Sequence, residues 1–283
     1  MATILAKLGC KVSIVEMMPH CLPTQDTEVA LTLQGILKEE GIQIWCNSRV
    51  TRIECTKSGK TVFLTEGDTE HKIDTEAVTI SVGYRSNTAG LGLEENGVVI
   101  DRSGVKVNER METSTPGIYA IGDAVGGMML AYIAIKEGIV AAENIMGLNS
   151  KINYGVVPQC IFTLPEIASV GITEQEAREQ GYEIEVGKFP FSNNGMAAIL
   201  GEHEGLVKII SENKYGQILG VHIIGSHATA LIMEAAIGIK LEATTEDIIQ
   251  MIHPHPSLSE AIWEAAMDTS GMAIHCRASK KRA

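Results

Sequence analysis

An imidazole on a stiff turn just ahead of a carboxylate-bearing helix is equipped to move protons, and His253-Pro254-His255-Pro256-Ser257-Leu258-Ser259-Glu260 assembles those parts within eight residues. Each X-Pro step confines the residue before it to extended conformations, so neither His253 nor His255 belongs to a helix. The spacing predicts a helix starting after Pro256. Ser257 and Glu260 stand at capping-box separation, and the amphipathic run Ala261-Ile262-Trp263-Glu264-Ala265-Ala266-Met267 follows. Two readings fit the octapeptide by itself. Either Glu260 caps the helix and the histidines merely shape a turn, or the carboxylate orients an imidazole that titrates near neutrality and shuttles protons.

Other polar residues stand where strands end. Val12 to Glu16 is a short apolar strand closed by an acid and reads as the second strand of a dinucleotide-binding unit. The glycine-rich turn of such a unit lies about 20 residues before the acid, which puts it just ahead of Met1. Glu16 then either binds a ribose or simply ends a strand. Glu76 to Gly83 reads as a buried strand ending in glycine, where the backbone either approaches a ligand or only turns. Thr113 to Asp123 reads as a turn, a short buried strand and Gly122-Asp123, with a long helix over Met129 to Met146 behind it. An aspartate placed there accepts from sugar-like hydroxyls beside a helix N-terminus, or caps the helix. The six cysteines, at 10, 21, 46, 55, 160 and 276, form no Cys-x-x-Cys pair, and no two are separated by four residues. Buried, reduced thiols are the expectation, with neither a metal site nor a redox couple among them.

These residues need elements to hold them. Residues 1–10 read as the end of an amphipathic helix begun ahead of the chain and stopped by Gly9. Asp26 to Glu40 gives a helix with Val29, Leu33, Ile36 and Leu37 at helical spacing. Gln43 to Cys46, Val50 to Cys55 and Thr61 to Thr65 read as strands, with a hairpin turn at Ser58-Gly59. Further on, strands are predicted over Gln159 to Thr163, Glu183 to Pro190, Gly205 to Ser211 and Ile218 to Ile224, and helices over Thr173 to Gln180, His227 to Leu241, Thr245 to Gln250 and Ser257 to Asp268. The helix from His227 fits either a core position or a subunit contact, and residues 278–283 read as a solvated tail. With 283 residues, 45% hydrophobic and 20% charged, the chain is globular in composition and long enough for two domains or parts of three. A net charge of −12 argues against nucleic acid and anionic membrane surfaces as partners. No apolar stretch reaches the roughly 18 residues of a membrane helix, and the N-terminus lacks a basic-then-apolar signal, so the expected compartment is cytoplasmic.

The octapeptide resembles the motif near the C-terminus of the flavin-dependent pyridine nucleotide-disulfide oxidoreductases, most closely the dihydrolipoamide dehydrogenases among them. The strand, Gly122-Asp123 and following helix resemble the second flavin motif of the same family, and the likeness runs from Met1 to about Ser270. The resemblance implies an α/β fold in three parts: a partial Rossmann-like NAD domain at 1–82, a partial FAD domain at 83–153 and an α+β interface (dimerisation) domain at 154–283. It implies His255 as acid/base and Glu260 as its partner. Asp123 then binds the ribityl chain of FAD, and Met129, Leu130, Ala131 and Tyr132 lie along the flavin. The family usually has histidine where Tyr132 stands, a departure from its pattern. Glu16 points to NAD over NADP, and Val50 and Gly83 line the nucleotide site.

The implied activity passes two electrons from dihydrolipoamide to a redox disulfide, then to FAD and to NAD, in a homodimer whose histidine serves the other subunit's disulfide. The implied partner is dihydrolipoamide or the lipoyl domain of a 2-oxo acid dehydrogenase or glycine cleavage complex. The two glycine-rich loops and the disulfide of the family have no counterpart in these 283 residues, so the chain alone is expected to be inactive. A related reductase of glutathione or mercuric type is the alternative, although Cys276 stands alone where mercuric reductases carry a pair. A non-catalytic dimerisation module is the other.

Overall fold

The computed structural model describes residues 1–57 and 59–276, so Ser58 of the expected hairpin turn and the tail at 278–283 lie outside the described residues. Contacts divide the chain into two compact units: Met1–Val78 together with the residues from Val156 onward, and Thr79–Gly155. In the first unit, α1 (Ala2–Lys7) closes at Gly9, and β1 (Ser13–Val15) leads through a turn-rich segment to α2 (Thr27–Glu39). β2 (Gln43–Trp45) pairs in parallel with β1, Ser13 opposite Gln43. The Asp26 carboxylate accepts from Glu28 N at 3.1 Å and so caps α2, whose Val29, Leu33, Ile36 and Leu37 are all buried, as their spacing predicts. β3 (Ser48–Cys55), β4 (Lys60–Glu66) and β5 (Thr69–Thr75) form an antiparallel meander.

The expected strand at 76–83 does not form. Ile80 and Val82 are exposed, and none of the described residues pairs with this stretch. Apolar alternation favours a strand only when a neighbouring backbone is there to complete the ladder. The second unit holds β6 (Ile100–Asp101), β7 (Gly104–Val105) and α3 (Ala131–Ile145) around Met111, Val140 and Ala141. The buried strand expected before Gly122 is only extended chain with an isolated bridge between Glu112 and Tyr119. Its long helix starts later than expected, because Met129 has φ +47° and Leu130 is extended.

From Val156 the chain builds β8 (Gln159–Ile161), β9 (Glu166–Gly171), α4 (Glu174–Glu179), β10 (Ile184–Pro190), α5 (Gly195–Leu200), β11 (Leu206–Glu212), β12 (Ile218–Gly225), α6 (Ala228–Lys240), α7 (Thr245–Gln250) and α8 (Glu260–Thr269). The five strands form one antiparallel sheet in the order β10-β11-β12-β9-β8. Because side chains alternate along each strand, the sheet has two different inner faces. Ala168, Val170, Val207, Ile209, Val221 and Ile223 face α6 and α8. Ile167 and Ile224 join the residues of α2 in a separate cluster. A fully buried Ile or Phe contributes about 1.5–3 kcal/mol, so this doubly covered sheet is the main source of cohesion in the unit.

On the α2 side the sheet also buries charge. Lys208 Nζ lies 2.9 Å from Asp26 Oδ1, 3.1 Å from Glu28 Oε2 and 2.8 Å from Glu174 Oε2, with Lys208 and Asp26 almost wholly enclosed. Burial alone would raise Asp26, but the hydrogen bond and charge of Lys208 outweigh it and hold the carboxyl below its ordinary range. His222 is buried with Nε2 against Ile172 O at 3.0 Å and no partner for Nδ1 among the described residues. Burial pushes its pKa down, so the folded chain keeps it neutral.

Removing one partner of a buried pair strands the others. Lys208→Ala should lower the unfolding free energy by roughly 3–5 kcal/mol in a urea titration, while Lys72→Ala on exposed β5 should stay within about 0.5 kcal/mol. The pH dependence has a definite sign. Below about pH 6.5 the unfolded chain protonates His222 and the folded chain resists, so stability should fall on acidification. It should fall again below about pH 4, where the depressed Asp26 and Glu174 are protonated. Thermal melts of His222→Gln should lose the first of these two declines.

Candidate active site

The carboxylate of Glu260 organises the histidine turn. Its Oε1 lies 2.8 Å from His255 Nδ1, and its Oε2 accepts from Ser257 N at 2.8 Å. Glu260 is the first residue of α8, so the helix begins three residues after the expected start at Ser257. Only half of that box forms. The Ser257 hydroxyl pairs with Ser259 Oγ at 3.0 Å and leaves the helix N–H groups alone. Since a carboxylate only accepts, the His255 proton sits on Nδ1 and the lone pair on Nε2. The His255 side chain is 76% exposed and that of Glu260 16%. A fixed anion thus backs a base that faces solvent.

Residues distant in sequence hold this turn. Asn194, almost wholly buried, caps α5 by accepting from Ala197 N and donates to Ser257 O at 3.0 Å. Gly195 faces the edge of the His255 ring, and a Cβ there would come 3.8 Å from Cε1. His253 has a different environment: its Nε2 meets Glu234 Oε1 of α6 at 3.0 Å, its ring stacks on Trp263, and its side chain is only 7% exposed. One turn along α8, buried Glu264 holds His275 Nδ1 at 2.5 Å, and Asn193 donates to His275 O. Sequence reasoning passed over Asn194, Glu234 and Glu264. The Asn193-Asn194-Gly195 triplet before an apolar run was a usable turn and cap signal; nothing in the sequence pairs Glu234 with His253.

The other sequence-predicted residues divide between the units. Glu16 and Val50 belong to the first. Glu16 follows β1, its Oε1 accepts from Met18 N at 2.8 Å, and Oε2 has no donor among the described residues. Val50 is exposed on β3, at a bulge opposite Leu64 and Phe63. Gly83, Asp123 and 129–132 belong to the second unit. Gly83 has φ +111° and open space where a Cβ would stand. Asp123 is exposed in a 3₁₀ turn at Gly122–Ala124, whose Gly122 N donates to buried Glu137 at 2.6 Å. A Cβ at Gly126 would fall 2.0 Å from Ser103 O, so only glycine lets this turn close. Met129 and Leu130 precede α3, and Ala131 and Tyr132 are exposed in its first turn. Among the described residues no three His, Cys, Asp or Glu side chains are grouped to hold a metal ion, and no helix is long and apolar enough to cross a membrane.

Comparison with known proteins gives two family matches. Residues 1–138 match the pyridine nucleotide-disulphide oxidoreductase family, and residues 157–266 match the pyridine nucleotide-disulphide oxidoreductase dimerisation domain. A dihydrolipoyl dehydrogenase of Thermus scotoductus is 43% identical over 272 residues, 95% of this chain and 59% of that protein. The crystal structure of LpdA from Mycobacterium tuberculosis superposes with a TM-score of 0.84 at 30% identity, covering 94% of this chain and 57% of its own. The HOCl-induced flavoprotein disulfide reductase RclA from Escherichia coli superposes with a TM-score of 0.85 at 27% identity, covering 94% and 61%. The chain therefore spans about three-fifths of the length of these relatives.

The geometry predicts one tautomer at His255. Nitrogen-detected NMR at neutral pH should show its neutral form protonated mainly on Nδ1, and Glu260→Ala should shift the population toward the Nε2–H form that free imidazoles favour. An unchanged ratio in Glu260→Ala would mean that the carboxylate does not orient the ring.

Proposed function

We propose, for a chain that belongs to the pyridine nucleotide-disulphide oxidoreductase family, that His255 and Glu260 are the acid/base pair of a dihydrolipoyl dehydrogenase. One observation carries the reading: a solvent-facing imidazole whose Nδ1–H is held at 2.8 Å by a carboxylate that is itself fixed by Ser257 N. A thiol is a weak nucleophile until it loses its proton, at a pKa of about 8.5 when free. The Nε2 lone pair of His255 takes that proton from dihydrolipoamide, and Glu260 stabilises the imidazolium and keeps the ring in register. The thiolate attacks a redox disulfide on the other subunit of a homodimer. The outward side of α6, where Met233 and Ile237 are exposed, and the dimerisation-domain match support that pairing.

FAD and NAD are the cofactors of this reading, with residues 1–82 serving NAD, 83–153 FAD and 154–283 the dimer. Residues of the chain fit both groups. The uncommitted Oε2 of Glu16 suits a ribose diol and would repel a 2′-phosphate, which favours NAD over NADP, with Val50 of the same unit lining the nucleotide. The exposed carboxylate of Asp123, held forward on a turn that glycine alone can close, suits the hydroxyls of a ribityl chain, with Met129 to Tyr132 alongside. Bound flavin supplies the two-electron step between disulfide and nicotinamide. Dihydrolipoamide, free or on the lipoyl domain of a 2-oxo acid dehydrogenase or glycine cleavage complex, is the substrate, and a set of free thiols suits a cytoplasmic setting.

The 283 residues hold no two cysteines with four residues between them, so the chain alone should form no NADH from dihydrolipoamide. Co-purified with a partner chain bearing flavin and disulfide, it should be active, and His255→Gln should lower kcat by roughly 10²–10⁴ with little change in KM. Equal rates for the two proteins, or a preference for glutathione disulfide, would overturn the assignment.

A further inference from the structure

Two cysteines that are 25 positions apart in sequence meet beside β1. Past the strand ends the chain continues in register, with Glu16 N donating to Trp45 O at 2.8 Å, Ser48 N to Glu16 O at 3.0 Å and Asn47 N to Met18 O at 2.9 Å. This lays the segment that follows β1 against the end of β2. Gln34 of α2 then draws both cysteines to one atom: its Oε1 accepts from Cys46 Sγ at 3.2 Å and from Cys21 N at 3.4 Å. Cys21 is buried, Cys46 is half-buried, and neither is in a disulfide. The expectation of buried thiols fails elsewhere, since Cys10 and Cys55 are exposed.

We propose that Cys21 and Cys46 form a two-thiol modification site that closes to an intrachain disulfide on reaction with a low-molecular-weight disulfide. The two sulfurs are unequal. Burial, then the charge and hydrogen bond of Cys46, push the Cys21 thiol up to about 12, so it stays protonated. Cys46 is the more accessible sulfur and attacks first. Its thiolate breaks the S–S bond of the reagent, forms a mixed disulfide and releases one thiolate, which takes up a proton. Cys21 then gives up its proton to solvent, attacks the Cys46 sulfur and expels the second thiolate. Two cysteine thiols lose two electrons and two protons, and the reagent leaves as two thiols. The bond formed would tie the segment just after Glu16 to the end of β2. The site uses neither His255 nor Glu260.

Trypsin cleavage at Lys11, Lys38 and Arg49 separates the cysteines into peptides 12–38 and 39–49, each with a single thiol. After treatment of the native 283-residue chain with oxidised glutathione and alkylation, mass spectrometry should show these two peptides linked, with the loss of two hydrogens. Cys21→Ser should instead trap glutathione on Cys46, and Cys46→Ser should leave Cys21 unmodified. Glutathione retained on Cys46 of the native chain with Cys21 freely alkylated, or Cys21 linked to Cys10 or Cys55, would overturn the proposal. Either result leaves the acid/base reading untouched, because the readout is a cross-link and not a rate.

Discussion

The histidine turn depends on how closely α8 sits on β10. A Cβ at Gly187 would fall 2.0 Å from Ala265 O and 2.6 Å from Thr269 N, so any larger residue would force helix and strand apart. The Lys188 amide, next along the strand, donates to Asp268 Oδ2 at 2.9 Å and fixes the helix along its axis. With α8 seated in this way, Ala261, Ile262, Ala265 and Ala266 enter the core and Glu260 is left at the rim. The carboxylate is therefore placed by apolar packing, and the turn folds back to meet it.

Packing at the other end of the unit follows the same logic with charge added. The sheet presents an almost purely apolar face to α6 and α8, whereas toward α2 it buries Lys208 beside Ile167 and Ile224. A lysine is tolerated there because Asp26, Glu28 and Glu174 arrive from two helix starts, where acids also suit the exposed N–H groups. Asp26 thus has two tasks, as helix cap and as counter-charge. That coupling ties the orientation of α2, and with it the Gln34 that collects the two cysteines, to the strand carrying Lys208.

Elements whose burial is one-sided were legible from sequence, and those whose burial depends on partners were not. The spacing of Val29, Leu33, Ile36 and Leu37 states the buried face of α2 directly. β5 reads Thr-Glu-His-Lys-Ile-Asp-Thr, too polar to announce a strand, and exists because β4 offers it a ladder. β9 was hidden because both its faces are buried and no alternation shows, and α5 because it buries Ala197 alone and carries no apolar stripe. The stretch 76–83 shows the reverse error, a pattern with no pairing to satisfy it. At the site, His255 and Glu260 were legible because they stand only five positions apart; Asn194 was not, since it reaches Ser257 across 63 positions.

His253 and His255 show why residue type and local sequence cannot by themselves identify a base. Both precede proline, both are non-helical and both bond a glutamate. His253 has Nε2 on Glu234, Nδ1 3.3 Å from Met251 O and a ring covered by Trp263, so every position that could take a proton from a substrate is already occupied. Trp263 is itself anchored by its Nε1–H to Ile249 O at 3.0 Å, which makes the covering rigid. Among the described residues His255 is bound through Nδ1 alone. In a regularly extended chain residues two apart share one side, and the bend at His255 and Pro256 breaks that regularity, which separates an imidazole that anchors α6 to the turn from one that presents its lone pair to whatever approaches.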